Sequence, residues 1–240
     1  MRLAVECAGE AVELECFDNA LSEMVATDIL AGRTYPRVDA AADVRIVLDV
    51  GANVGAAAVW FALAYPAATV HALEPAREPF ALLARNTADM PRVVAHRIGL
   101  FSGDRSASLR HGALDTVTAS VGASRLTRAD AETVQLRAAS DWLREQAIDR
   151  VDVLKLDTEG CEVPILEGMR DQLGAMQVLH VEFHREADRK AIDRLVGDTH
   201  VLVAGHIHHA HRGELTYVTN AIASAPEFAR HEITVDLEPD

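Results

Sequence analysis

The residues Val47-Leu48-Asp49-Val50-Gly51-Ala52-Asn53-Val54-Gly55 place a glycine turn directly after an apolar strand. Gly51 permits a tight turn or close backbone approach, and Gly55 lets the following helix pack near the sheet. That helix presents free N–H groups to a ligand at its start. Glu74 ends the next strand, 25 residues after Asp49, where a carboxylate can accept hydrogen bonds from both hydroxyls of a ribose. A pyrophosphate site favours G-x-G-x-x-G, but here Asn53 replaces the second glycine and Ala56 stands in place of the third. Asp49 at the mouth would repel a pyrophosphate and suits the ammonium and sulfonium of S-adenosylmethionine. The turn therefore favours that cofactor over NAD.

A second group of candidates follows later strands. Lys155 and Asp157 share a face by the two-residue period, and Glu159 and Glu162 fall where a helix begins. Each has a plain alternative: Asp157 or Thr158 as a helix cap, and the glutamates as partners of the helix dipole. Glu182 and His184 share a face at the end of the next strand. A histidine that is neutral near pH 7 suits a general base for an alcohol or phenol, and a loop hydrogen bond is its alternative. Asp157, Glu182 and His184 could converge on a divalent ion of the magnesium or manganese class, though no ligand spacing compels it. No metal is assigned. His206, His208, His209 and His211 form a cluster without a fixed carboxylate or cysteine partner, so a solvated hairpin tip or a rim over the substrate is favoured over a metal site. Arg125 and Arg128 are candidates for docking an anionic substrate, with solvated surface charge as the default. Cys161 and Trp142 read as structural.

These residues need a scaffold of alternating strands and helices. Strands are expected at 46–50, 69–73, 93–98, 151–156 and 177–183, with helices at 54–64, 78–87, 141–146, 162–172 and 187–196. The alternation predicts a mostly parallel sheet covered on both faces. Segments 199–204 and 214–221 read as two strands joined by a His-rich turn, a terminal antiparallel hairpin typical of Rossmann-like methyltransferases. Residues 1–17 read as two short strands, and Asp18 or Asn19 can cap a helix to about Leu30. Residues 1–44 are thus expected as an accessory lid or dimerisation element, and 45–240 as the main domain. Residues 99–139 lack a strong period and are expected to hold an insertion.

The blocks LDVGANVG, HALEPAREPFALLARN, DVLKLDTEGCEVPILEGM and LHVEFH, in that order over about residues 45–185, resemble the FkbM-type methyltransferases. The run from Lys155 to Glu162 is the most specific of these motifs. The resemblance implies an S-adenosylmethionine-dependent enzyme, for the most part acting on hydroxyl oxygens of natural products or sugars. It implies Asp49, Gly51, Asn53, Gly55, Glu74 and Pro75 as cofactor residues, with Gly99 and Leu100 near the adenine. With it, Asp157 is favoured at the methyl-transfer zone and Glu159 as a substrate or loop anchor; His184 is expected as the base from its strand-end position and its own chemistry. An N-methyltransferase on a small amine, or a non-catalytic nucleotide-binding or assembly subunit, are the alternatives. The front section and the His-rich hairpin lie outside the resemblance, so the acceptor is not inherited from it.

Composition bounds the classes. The 240 residues carry 23 Lys and Arg against 37 Asp and Glu, a formal charge of −14, which opposes a dedicated nucleic-acid binder. Lys155 and Lys190 are the only lysines, a balance that fits a GC-rich bacterial genome. Three scattered cysteines fit a reducing cytoplasm. The opening residues carry acids where a signal peptide has an apolar core. The uncharged stretch between Asp49 and Glu74 changes period midway, so it reads as a soluble strand–helix–strand unit and not as a membrane span. The expected partners are a small-molecule acceptor and, as one possibility, a second copy of the chain.

Overall fold

The computed structural model describes residues 1–112, 115–121, 131–209 and 212–226. The chain opens with the hairpin β1 (Arg2–Cys7) and β2 (Glu10–Glu15), then α1 (Ala20–Leu30). The Asn19 side chain caps α1 by accepting from the Ser22 N–H at 2.8 Å. The main body follows as β3 (Ile46–Val50), α2 (Ala56–Ala64), β4 (Thr69–Leu73), α3 (Arg77–Asn86) and β5 (Val93–His96). A segment of β6 (Gly99–Phe101), β7 (Arg105–Gly112), β8 (Asp115–Val121) and β9 (Ala131–Ala138) comes next. The remainder is α4 (Ala139–Glu145), β10 (Val153–Leu156), α5 (Glu162–Gly168), α6 (Arg170–Leu173), β11 (Val178–Phe183), α7 (Glu186–Val196), β12 (His200–His209), β13 (Arg212–Thr219) and α8 (Asn220–Ala223).

Seven strands form one sheet in the order β12-β13-β11-β10-β3-β4-β5. β13 runs antiparallel to both neighbours, and the β11-β10-β3-β4-β5 pairings are parallel. The strand order reverses between β3 and β10, which opens a crevice at their C-terminal ends. The central strands are buried on both faces, as their unbroken Val and Leu runs require. This is the α/β Rossmann-like architecture expected from the sequence.

Three expectations change in detail. The segment 99–139 contributes a second, four-stranded sheet in the order β6-β9-β7-β8. Its strands mix polar and apolar residues, which leaves no long apolar run to announce them. The helix expected at 162–172 is broken at Met169 into α5 and α6. The strand begun near residue 200 runs on to His209, past the end expected at 204, and carries His206 and His208 on a shared strand face, as expected for that pair. That strand is the sheet edge, where polar side chains are solvated and protect against further pairing. His211 lies outside the described residues, as do Arg125 and Arg128.

The front section shares its core with the main sheet. Leu14, Leu30 and Tyr35 are buried in one cluster with Trp60, Phe61, Val47 and Val70. Asn86 fastens β2 down, since its side chain accepts from the Glu15 N–H at 2.7 Å and donates to the Glu15 carbonyl at 2.8 Å. The Trp60 indole donates to the Tyr35 carbonyl at 2.7 Å. These bonds set Tyr35 over the C-terminal end of β10. Among the described residues, no helix is long and apolar enough to cross a membrane.

Candidate active site

The turn after β3 is built against β10. Gly51 has φ of 79°, and a Cβ placed on it would lie 1.8 Å from the Asp157 carbonyl oxygen. Only glycine fits both demands. The Gly51 and Ala52 N–H groups donate to the Leu73 carbonyl at 2.9 Å each. Gly55, with φ of 93°, caps α2 against Leu83. Glu74 braces the turn from the other side by accepting from the Asn53 N–H at 2.9 Å and the Ala76 N–H at 2.8 Å. Burial pushes its carboxyl up to about 7, against the pull of those two N–H groups.

A cavity of about 440 Å³ runs from this turn past the C-terminal ends of β3, β10 and β11. Gly51, Asn53, Glu74, Pro75, Gly99 and Leu100 line it, as expected. Leu109 and Leu136 of the second sheet add an apolar wall beside Gly99. The Asn53 side-chain oxygen is buried and has no protein partner among the described residues, so it is free for a ligand donor.

Asp49 is placed differently from expectation. Its carboxylate is fully buried and does not line the cavity. The reason is Lys155, directly opposite in the β10–β3 register, whose ammonium lies 3.1 Å from Asp49 and donates to the Gly51 carbonyl at 2.6 Å. Lys155 also faces Asp157 at 3.8 Å; burial opposes its charge, but Asp49 and Asp157 together outweigh it and keep the ammonium protonated. Asp49 therefore stands behind Lys155, one step back from the cavity wall. His180 continues the row across the sheet, between the Tyr35 and Phe61 rings, and bonds to Thr216 at 3.0 Å. Burial and then Lys155 hold it neutral, its pKa down to about 3. Lys155 was visible in sequence as a face-mate of Asp157; its partner was not.

The far end of the cavity gathers carboxylates. Asp157 is 29% exposed and lies 3.3 Å from the Tyr35 hydroxyl. Burial opposes its charge, yet Lys155 foremost, with His184 and Arg212, holds its carboxyl down at about 2. Glu182 beside it is pushed up to about 10 by burial and by the Asp157 charge. Arg212 donates to Glu182 at 2.7 Å and to Glu159 at 3.3 Å. Glu159 reaches this position through a left-handed backbone, φ of 53°, a strain of about 1–3 kcal/mol for a non-glycine residue. Glu162 tightens the same loop by accepting from the N–H groups of Thr158 at 2.7 Å and Gly160 at 3.0 Å.

His184 stands behind this group and does not line the cavity. Its ring lies 3.0 Å from Glu159, 3.7 Å from Glu162 and 3.6 Å from Glu182. Burial opposes its charge, but these carboxylates hold its pKa up at about 11. A base needs an unprotonated nitrogen, so this setting opposes the role expected for it. Asp157, Glu159, Glu182 and His184 bring ligand atoms within 4.8 Å of one another, as a divalent ion would need. Lys155 and Arg212 already supply positive charge there. Cys161 is buried, and burial followed by Glu162 pushes its thiol up to about 12, in keeping with a structural role. Trp142 is core, edge-on to the stacked pair His71 and His96.

Further residues complete the walls, among them His208, which the sequence offered as part of a rim over the substrate. Leu21, Met24, Val25 and Ile29 of α1, with Tyr35, close one side; His208, Arg212 and Glu214 of the hairpin close the other. Nothing in the local sequence pointed to Tyr35.

The profile of the family described as "Methyltransferase FkbM domain" matches residues 49–222. Among curated relatives, the hexuronic acid methyltransferase AglP of Haloferax volcanii is 26% identical over 154 residues, covering 64% of this chain and 62% of that protein. The 31-O-demethyl-FK506 methyltransferase FkbM of Streptomyces tacrolimicus is 28% identical over 198 residues, covering 67% of this chain and 71% of its own length. The chain thus spans less than two thirds of the archaeal relative. Among solved structures, the fibrillarin pre-rRNA processing protein of Methanococcus jannaschii superposes with a TM-score of 0.50 at 11% identity, covering 91% of this chain and 82% of that one, a likeness of fold alone. With the glycine turn, the strand order and the Lys155–Glu162 block all inside the matched span, the chain belongs to the FkbM methyltransferase family.

Proposed function

We propose that this methyltransferase moves the methyl group of S-adenosylmethionine to a hydroxyl oxygen of a small molecule. The observation that carries the reading is the single cavity joining the Gly51–Glu74 turn to the carboxylates at the ends of β10 and β11. When bound, the sulfonium supplies an already activated methyl, so the protein must align the acceptor and remove its proton. Asn53 and Glu74 would hold the amino-acid and ribose parts, and Leu100, Leu109 and Leu136 the adenine.

Asp157 is the group placed to accept the hydroxyl proton. Its low basicity is no obstacle, because the hydroxyl becomes strongly acidic as the new C–O bond forms. Glu159 anchors the acceptor beside it, and His184 positions Glu159 through their 3.0 Å contact. The apolar side of α1 would cover the acceptor as a lid, in line with the accessory role expected for residues 1–44. The names of the relatives, a hexuronic acid and an FK506 methyltransferase, support a sugar or natural-product hydroxyl as the target.

Calorimetry with S-adenosylmethionine and NAD tests the cofactor: binding of the first alone is expected. Methyl-labelled cofactor is then offered to panels of uronic acids, secondary alcohols and amines. Label recovered as a methyl ether, with turnover lost in Asp157→Asn at unchanged cofactor affinity, is the expected result. Label found only on amine nitrogen would replace this reading with N-methylation, and NAD binding alone would overturn it.

A further inference from the structure

We propose that His206, His208 and Glu214 form a binding site for a divalent transition-metal ion, zinc by preference, on the lip of the cavity. His206 and His208 share one face of β12, and Glu214 lies directly opposite His206 in the β12–β13 register. One ligand atom from each of the three falls within 4.8 Å of the others. The two imidazole rings are 4.4 Å apart between centroids, and the His208 Nε2 is 2.7 Å from the Glu214 carboxylate. Tetrahedral ligands at about 2.1 Å from zinc sit roughly 3.4 Å from one another, so small side-chain rotations close the set. Two imidazoles and a carboxylate are donors of the borderline class that suits zinc over magnesium. Glu214 is the fixed carboxylate that the histidine run lacks in sequence; it comes from the other strand of the hairpin.

With three protein ligands among the described residues, a fourth position is left open, the arrangement of sites that bind an exchangeable oxygen ligand. His208 and Glu214 both line the cavity, and Glu214 pairs across the sheet with Glu182 of the carboxylate group. An ion there would hold an acceptor through a hydroxyl or carboxylate oxygen, with the reacting hydroxyl turned to Asp157. This acceptor role rests on the hydroxyl-methylation reading; the metal site itself does not.

Zinc titration of the whole chain by calorimetry, without acceptor and with magnesium as control, tests the site. One zinc per chain and no magnesium at the same site are expected. Loss of an outer hydrogen-bond partner alone costs a metal site about 10–100-fold in affinity, so removal of a ligand in His208→Ala or Glu214→Gln should cost at least about 100-fold. The variant Asp157→Asn should keep wild-type zinc affinity. Absence of zinc binding in wild type, or binding that survives His206→Ala/His208→Ala, overturns the proposal. Cofactor binding measured on the same samples separates that failure from a failure of the methyl-transfer reading.

Discussion

Replacing Lys155 by methionine isolates the contact that ties β10 to the glycine turn. Lys155 is 2% exposed and Asp49 fully buried, so the substitution leaves a carboxylate in the core facing a methyl group. Breaking one side of a buried ion pair costs about 3–5 kcal/mol, because the remaining charge keeps its desolvation penalty. The bond from Lys155 to the Gly51 carbonyl goes as well, worth about 1 kcal/mol more. Against a total stability of roughly 5–15 kcal/mol, that is a large fraction. Urea unfolding at pH 7 reads it directly as a shift in midpoint. The double variant Asp49→Asn/Lys155→Met removes the orphaned charge and should recover much of the loss. The pH dependence has a definite sign. Burial raises the Asp49 pKa above its ordinary 3.8, and Lys155 only partly offsets this. Without Lys155 that offset is lost and the folded-state pKa rises further, so the added destabilisation is absent below 3.8 and grows as pH rises towards the folded value. The deficit of Lys155→Met relative to wild type should therefore shrink as pH falls from 7 towards 4. A loss under about 1 kcal/mol, or a double variant no more stable than the single, would refute the reasoning.

Two further substitutions probe the cofactor end. Glu74→Gln should weaken S-adenosylmethionine binding by roughly 10–150-fold, the worth of a hydrogen bond to a charged group. Since burial brings the Glu74 carboxyl to about 7, wild-type affinity should rise between pH 6 and 8, and the variant should lose that slope; a persistent slope assigns the titration elsewhere. Gly51→Ala forces a side chain to 1.8 Å from the Asp157 backbone oxygen at a φ of 79°. The left-handed strain alone costs about 1–2 kcal/mol, and backbone cannot swing aside as a side chain can. A fall in Tm of at least about 4 °C and loss of cofactor binding by calorimetry are expected, and a silent variant would contradict this close approach.

Much of the cofactor end was legible in the sequence, because its signals are local. A glycine turn after an apolar run and a carboxylate at the next strand end follow from chain order and the two-residue period. Gly51, Asn53, Glu74, Pro75, Gly99 and Leu100, which line the cavity, were singled out that way or by family likeness. The same local reading misjudged Asp49, whose partner is 106 residues away. It also cast His184 as a base, since one strand end cannot show that carboxylates from the β10–α5 loop, from the start of α5 and from β11 surround the ring.

The sequence by itself determined the alternation of strands and helices, the face on which each strand-end group lies, and the family. Only the tertiary structure decided which of those groups meet. The row Asp49, Lys155, His180 and Thr216 exists because four strands distant in sequence pair in one register. Tyr35 comes over Asp157 because the front section packs into the same core, and Glu214 reaches the histidines because a hairpin sets it opposite His206. A period along the chain fixes a face, whereas the partner across it is fixed by strand pairing, which no single segment encodes.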